Sequence, residues 1–309
     1  MSNNNYYAPI IIFSYKRLNS LKKLIKSIKS NKNYQLHKFY IFSDSFKKKN
    51  DKRHVNKVRL FCKKLNFKNK KIIFRKKNLG LAKNIISGVS QVIKIHGCAI
   101  VLEDDLIVGK NFLQFMTNSL NKYKNKKKVW HITGWSHNLN VLGKNQQVYF
   151  NKHMICWGWA TWLNRWKNFE KNPDKIINNW KKKQIDEFDQ YGVYNNWSQI
   201  IRNKKKIINT WAVFWNATIF NNKGLCLNPT KSLVVNSGLD SYSTNTNTNM
   251  KKVNWLFESQ KIFDFKITNY PNKIKENLIM KKYIKKKFST NPYTKIIKNI
   301  LRFRLNKFS

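Results

Sequence analysis

The sequence predicts an α/β fold with a mainly parallel central sheet covered by helices on both faces. Three observations carry this reading. Short apolar runs of strand length alternate with segments of helical period through the first hundred residues, and such alternation builds βαβ units. At 309 residues the chain is long enough for one large core. Hydrophobic residues make up 41% and aromatics 14% of it, more apolar material than a disordered chain of comparable charge carries.

Residues 8 to 15 form an apolar run that fits a strand buried on both faces. Leu18, Leu21, Leu24, Ile25 and Ile28 then recur at spacings of three and four, predicting a helix that ends near Asn31 to Asn33. A second strand at 39 to 42 runs into Ser43-Asp44, and a basic helix from about Val55 to Leu65 leads to a third strand at 72 to 74. The Asn78 to Gly80 turn opens a helix reaching Ile95, and a fourth strand at 98 to 102 ends directly in Glu103-Asp104-Asp105. Parallel sheets bind ligands beyond the carboxyl ends of their strands. That rule gathers Ser14 to Arg17, Asp44, the 78 to 84 segment with Lys83, and the acidic triplet around one crevice.

The formal net charge of +48 invites a polyanion partner. Yet 54 of the 62 basic residues are lysine and they are spread along the whole chain, whereas nucleic-acid sites favour arginine forks. No specific nucleic-acid partner is expected, and much of the charge reads as a solvated surface. Cys62, Cys98, Cys156 and Cys226 are too dispersed for a zinc knuckle or a small disulfide scaffold. The start lacks a charged-then-apolar leader pattern, and no apolar run approaches the roughly 20 residues of a membrane span. The expectation is a cytoplasmic protein with reduced thiols.

Only 14 residues are acidic, so three in succession would arise by chance about 0.03 times. Hard divalent cations take carboxylate oxygens and complete their shell with substrate phosphates. Asp105 and its neighbours could therefore bridge Mn2+ or Mg2+ to a nucleotide diphosphate. The competing reading is an acidic turn that caps a helix beginning near Asn111.

The run Ile100-Val101-Leu102-Glu103-Asp104-Asp105-Leu106 resembles the acidic metal-binding turn of the N-acetylglucosaminyltransferase I family and its bacterial relatives. Pro9 to Arg17, Ser43-Asp44 and Asn78 to Asn84 match in the same order, and the similarity covers about residues 8 to 170 clearly and continues more weakly to about 245. The resemblance implies the GT-A fold, a nucleotide-sugar donor, most simply a UDP-sugar, and a glycan or lipid-linked saccharide acceptor. It implies that Asp44 reads the uracil, Arg17 contacts the diphosphate, Asp105 ligates the metal, and Glu103 and Asp104 hold the ribose and donor sugar. Ser14 and Lys83, inside two matching segments, belong to the same donor site. As residues alone, Arg17 also reads as a surface charge at a helix start and Asp44 as a turn residue after a strand. The implied division is a glycosyltransferase domain over 1 to 250, with a nucleotide-sugar half at 8 to 125 and an acceptor half at 126 to 250, then a basic helical extension at 251 to 309.

Cys156 to Trp162 resembles a Trp-Gly-Trp segment of the bacterial relatives. Trp159, Trp162 and Trp166 fall at the spacing of a buried helix face, while Trp157 is either core or a platform for an acceptor sugar ring. His131 reads as structural. Inverting transfer needs a base for the acceptor hydroxyl, and the relatives' acidic loop and Asn-x-Gly-x-Asp pattern point to Asp189 or Asp240. Where those relatives continue with Gly-Thr-His, this chain has Ser243-Thr244-Asn245. A histidine that could help hold the metal is thus missing, so a catalytically silent relative that binds sugar nucleotides or glycans is the alternative function. Past Glu276 every charged residue is basic, and Ile297, Leu301, Leu305 and Phe308 form an apolar stripe at helical spacing. This tail, 281 to 309, either meets an anionic membrane surface, giving a peripheral enzyme, or packs back on the domain.

Overall fold

The computed structural model describes residues 6–137, 141–143, 145–238 and 261–288. Asp240, Asn245 and the apolar stripe of the tail lie outside the described residues.

The first half alternates as expected, with β1 (Ile10–Ser14), α1 (Leu18–Lys29), β2 (Phe39–Ser43), α2 (Lys52–Lys64), β3 (Lys70–Phe74), α3 (Gly80–His96) and β4 (Cys98–Glu103). Then come β5 (Leu106–Val108), α4 (Phe112–Tyr123), β6 (Val129–Thr133), β7 (Val148–Asn151), β8 (Trp159–Trp162) and α5 (Leu163–Trp166). The remainder holds α6 (Pro173–Asn179), α7 (Lys182–Phe188), α8 (Asn196–Lys204), α9 (Ala212–Asn221), β9 (Leu225–Pro229), β10 (Val234–Asn236) and α10 (Leu278–Phe288).

Eight strands form one sheet in the order β3-β2-β1-β4-β8-β6-β9-β7, and β10 pairs with β5 in a separate ribbon. The pairings of β1 with β2 and β4, of β2 with β3 and of β6 with β9 are parallel, while β8 and β7 run against their neighbours. Side-chain alternation sorts the core into two layers. Ile10, Ile12, Phe39 and Ile41 meet α1, α2 and α4 on one face. Ile11, Phe13, Tyr40 and Phe42 meet α3 and α9 on the other. Gly88 of α3 allows that helix to lie directly on β1, since a Cβ there would sit 2.7 Å from the Phe13 ring.

Two expectations are corrected. Trp159 and Trp162 are buried but lie on a strand, with Trp159 in one core layer and Trp162 in the other. A separation of three residues puts side chains on opposite faces of a pleated strand, and aromatic and threonine residues favour that conformation. The acidic triplet does not cap α4 either. It leads into β5, and the chain enters α4 through Asn111, while Asn31 Oδ1 of the α1 side accepts from Leu113 N at 2.9 Å.

The described part of the tail returns to the domain. Asn277 N donates to Phe150 O of the edge strand β7 at 2.9 Å, and its side chain caps α10 by accepting from Met280 N at 2.9 Å. Met280 and Ile284, one turn apart, are buried against Tyr149. Burying two such side chains contributes about 3 to 6 kcal/mol at most. No helix among the described residues is long and apolar enough to cross a membrane.

Candidate active site

The carboxyl ends of β1 and β4 are neighbours, because Phe13 pairs with Glu103. This register brings the start of α1 onto the acidic triplet. Tyr15 N donates to Asp104 Oδ2 at 3.0 Å, and Arg17, the first-cap residue of α1, reaches Asp104 Oδ1 at 2.9 Å and Asp105 Oδ2 at 3.0 Å through one guanidinium nitrogen. Burial, reinforced by Asp105 and Asp104, pushes the Glu103 carboxyl up to about 8. Burial also raises Asp104, to about 6, against the pull of Arg17. One arginine thus faces three acids, and the group is short of positive charge inside a strongly basic protein.

The β5–β10 ribbon closes the other side. Asn236 pairs with Leu106, and Ser237 then donates its N–H and hydroxyl to Asp105 O at 2.7 and 2.9 Å. Gly238, whose N–H donates to Asn236 Oδ1 at 2.7 Å, lies so close that a Cβ would meet Asp105 Oδ2 and Arg17 Nη1 at 2.7 Å. Asp105 Oδ1 is buried in this cradle with no hydrogen-bond partner among the described residues. An orphaned anionic oxygen is costly, and a divalent cation would satisfy it. Among the described residues no group of three or more His, Cys, Asp or Glu side chains is arranged to hold a metal. Asp105 thus offers one carboxylate oxygen, and Mn2+ or Mg2+ held there would draw its remaining oxygens from phosphates and water, the usual habit of Mg2+ with nucleotides.

Other expected donor residues sit differently. Asp44 is buried, and its two oxygens accept from Ser45 N at 2.8 Å, Leu79 N at 2.9 Å and Gly80 N at 3.0 Å. It clamps the turn that opens α3, as a carboxylate at a helix N-terminus does. Ser14 is buried within the sheet, and Lys83 is exposed on α3. Asp189 is also buried, ends α7, and accepts from Trp197 N in the first turn of α8 at 2.8 Å. His131 is structural, holding Trp215 Nε1 at 3.2 Å on Nδ1 and Ile155 O at 3.0 Å on Nε2.

The β4–β8 ladder ends at the pair Val101–Trp159, and Trp157 precedes β8 by two residues, on the side where β4 ends in Glu103. Trp157 is half-buried and meets Trp135 edge to face at 5.5 Å. Both rings border a cavity of about 310 Å3 that continues over His153, Asn196, Gln199 and Asn216. Cys156 is also on its wall, and two residues on, a Cβ at Gly158 would lie 3.5 Å from Leu102 Cδ2, so this wall runs close to the end of β4 that leads into the acidic turn. Sequence reasoning found Trp157 and missed His153 and Gln199, which carry no motif. Gly238 was within reach of it, as the glycine of the Asn-x-Gly pattern.

No family model matches the chain, and no curated protein matches it in sequence. Solved structures do resemble it. One is GalNAc-T7 with UDP, GalNAc and Mn2+, at 12% identity and a TM-score of 0.47, over 74% of this chain and 43% of that one. A second is TarS of S. aureus, at 10% identity and a TM-score of 0.41, over 74% of this chain and 36% of that one. A third is the mannosyltransferase PcManGT from Pyrobaculum calidifontis in complex with GDP-Man and Mn2+, at 9% identity and a TM-score of 0.36, over 71% and 70%. The chain spans less than half the length of the first two.

Proposed function

We propose that this chain is a metal-dependent GT-A glycosyltransferase, in the manner of the N-acetylglucosaminyltransferase I family it resembles. It would move a sugar from a nucleotide-sugar donor, most simply a UDP-sugar, to a glycan or lipid-linked acceptor with inversion, in cell-surface polysaccharide synthesis. The observation that carries this reading is the orphaned Asp105 Oδ1 at the carboxyl end of β4, between Arg17 and the Gly238 backbone.

The residues divide the work. Asp105 would hold Mn2+ or Mg2+, which supplies positive charge for the leaving diphosphate. Arg17 fixes the orientation of Asp105, and its other N–H groups remain for phosphate. Glu103 and Asp104, lifted by burial, would hold the ribose and donor sugar, and Trp157 on the wall of the neighbouring cavity offers a ring face to the acceptor sugar. Of the two carboxylates named as base, Asp189 is committed to α8, so Asp240 is our assignment for proton removal from the acceptor hydroxyl. It follows Gly238 by two residues and lies outside the described residues.

We further propose peripheral attachment to an anionic membrane at the cytoplasmic face. Leu278 and Ile279 are 69% and 60% exposed at the start of α10, and Lys282 and Lys286 continue the same helix face. Thermal-shift screening of the full chain with UDP-, GDP- and CMP-sugars, with and without Mn2+, tests the donor reading. The expected result is stabilisation by one nucleotide class that needs the metal. No stabilisation by any of them would remove the reading.

A further inference from the structure

The cavity beside the acidic turn is free of charge in a protein that is otherwise covered with it. None of its lining residues is Lys, Arg, Asp or Glu, although the chain has 62 basic residues. Its polar groups are neutral and two of them are unspent. Gln199 lines the cavity, and its side-chain amide has no partner among the described residues. His153 is fixed by stacking on Tyr194 at 3.5 Å between ring centres. Its Nδ1 faces the side-chain amides of Asn216 at 3.2 Å and Asn196 at 3.5 Å. Those amides donate, so the imidazole proton sits on Nε2, which has no protein partner among the described residues. Burial, followed by His137 and His131, pushes this imidazole down to about 3, so it stays neutral.

We propose that this cavity binds an uncharged sugar ring, with Trp157 against its apolar face and the His153 Nε2–H and the Gln199 amide on its hydroxyl or acetamido oxygens, and that it rejects uronic and sialic acids. The inference rests on the glycosyltransferase reading for its role but not for its binding chemistry. Aromatic faces and neutral amides suit hydroxyl groups, whereas a carboxylate drawn into this lining would lose water and gain no cation. The surrounding lysines attract anions to the surface generally, so the discrimination is set inside the cavity.

Saturation-transfer NMR on the full chain, without nucleotide or metal and at high salt to screen the surface, tests this. The probes are galactose, N-acetylglucosamine, glucuronic acid and N-acetylneuraminic acid. Transfer to at least one neutral sugar is expected, weakened about tenfold or more for the acids and lost in Trp157→Ala. Gln199→Lys should gain glucuronic acid binding, a result that misfolding cannot mimic. Equal binding of the acids by the unaltered chain, absence of any neutral-sugar signal, or no gain in Gln199→Lys would each overturn the proposal. Donor binding at Asp105 is measured separately by the thermal-shift screen. Neutral-sugar binding without donor binding would leave this inference standing and sink the glycosyltransferase reading, and the reverse would do the opposite.

Discussion

Arg17 and Asp105 are held together at 3.0 Å although the chain separates them by 88 positions. The contact joins the start of α1 to the turn after β4, and it leaves the second Asp105 oxygen buried without a partner among the described residues. This geometry sets the first expectation. Asp105→Ala should weaken metal-dependent nucleotide-sugar binding by about 100-fold or more, since even supporting groups around a metal are worth about 10- to 100-fold. The fold should survive, because Ser237 binds the backbone oxygen of residue 105. Calorimetry in Mn2+, with circular dichroism as the fold control, decides it, and unchanged affinity would end the metal assignment.

Gly238→Ala should disturb the cradle itself. The added Cβ would meet the tips of Arg17 and Asp105 at 2.7 Å and Asp105 Cβ at 2.8 Å, and a tip can swing aside whereas a Cβ moves only with its backbone. We expect a loss of stability of about 1 to 3 kcal/mol, with donor affinity reduced about tenfold or more. A variant that binds donor normally would show that the cradle is not the donor site.

The two candidate bases should behave oppositely. Asp189→Asn keeps an oxygen that can accept from Trp197 N and should leave turnover near normal, whereas Asp189→Ala removes that hold and should cost about 0.5 to 2 kcal/mol in urea unfolding, as loss of a helix cap does. Asp240→Asn should leave stability alone and lower turnover by about 10² to 10⁴ with little change in donor affinity. Normal turnover in the Asp240 variant would remove it as the base.

His131 is pushed down to about 3 by burial, while an unfolded chain takes up that proton near pH 6.5. The unfolded state therefore binds the extra proton between those values, so the contribution is fully present above about 6.5 and is lost as pH falls. Glu103 and Asp104, with raised values, pull the other way, so the effect is best read as a difference. Between pH 4 and 6 the stability of the unaltered chain should rise more steeply than that of His131→Gln by about 1.4 kcal/mol per pH unit. Equal slopes in denaturant titrations would show that His131 is charged in the fold.

For the membrane, the buried face of α10 decides which truncation is informative. Ile284 is buried against the domain, so a truncation inside α10 would damage the fold, and the informative end is after Phe288. Co-sedimentation with phosphatidylserine vesicles at physiological salt should fall about tenfold or more in that truncation if residues 289 to 309 carry the attachment. Equal binding would leave the exposed Leu278–Lys286 face as the attachment or remove the membrane altogether, and Ile279→Glu in the truncated chain separates these two.

The sequence by itself determined the alternation of strands and helices through β4, because hydrophobic period is a local property that reads the same in the chain and in the fold. It also placed Glu103-Asp104-Asp105 at a strand end, since the apolar run stops where the carboxylates begin. Period failed at Trp159 and Trp162, where a spacing of three fits a helix face as well as two faces of one strand. Only the tertiary structure decided what surrounds the triplet. Ser237 reaches Asp105 from 132 positions away through the β5–β10 ribbon, Asp44 turns inward to hold α3, and neutral residues of α8 and α9 complete the cavity beside Trp157. These relations come from packing between distant segments, and no local spacing encodes a contact whose partners are chosen by which faces the sheet and its helices bury.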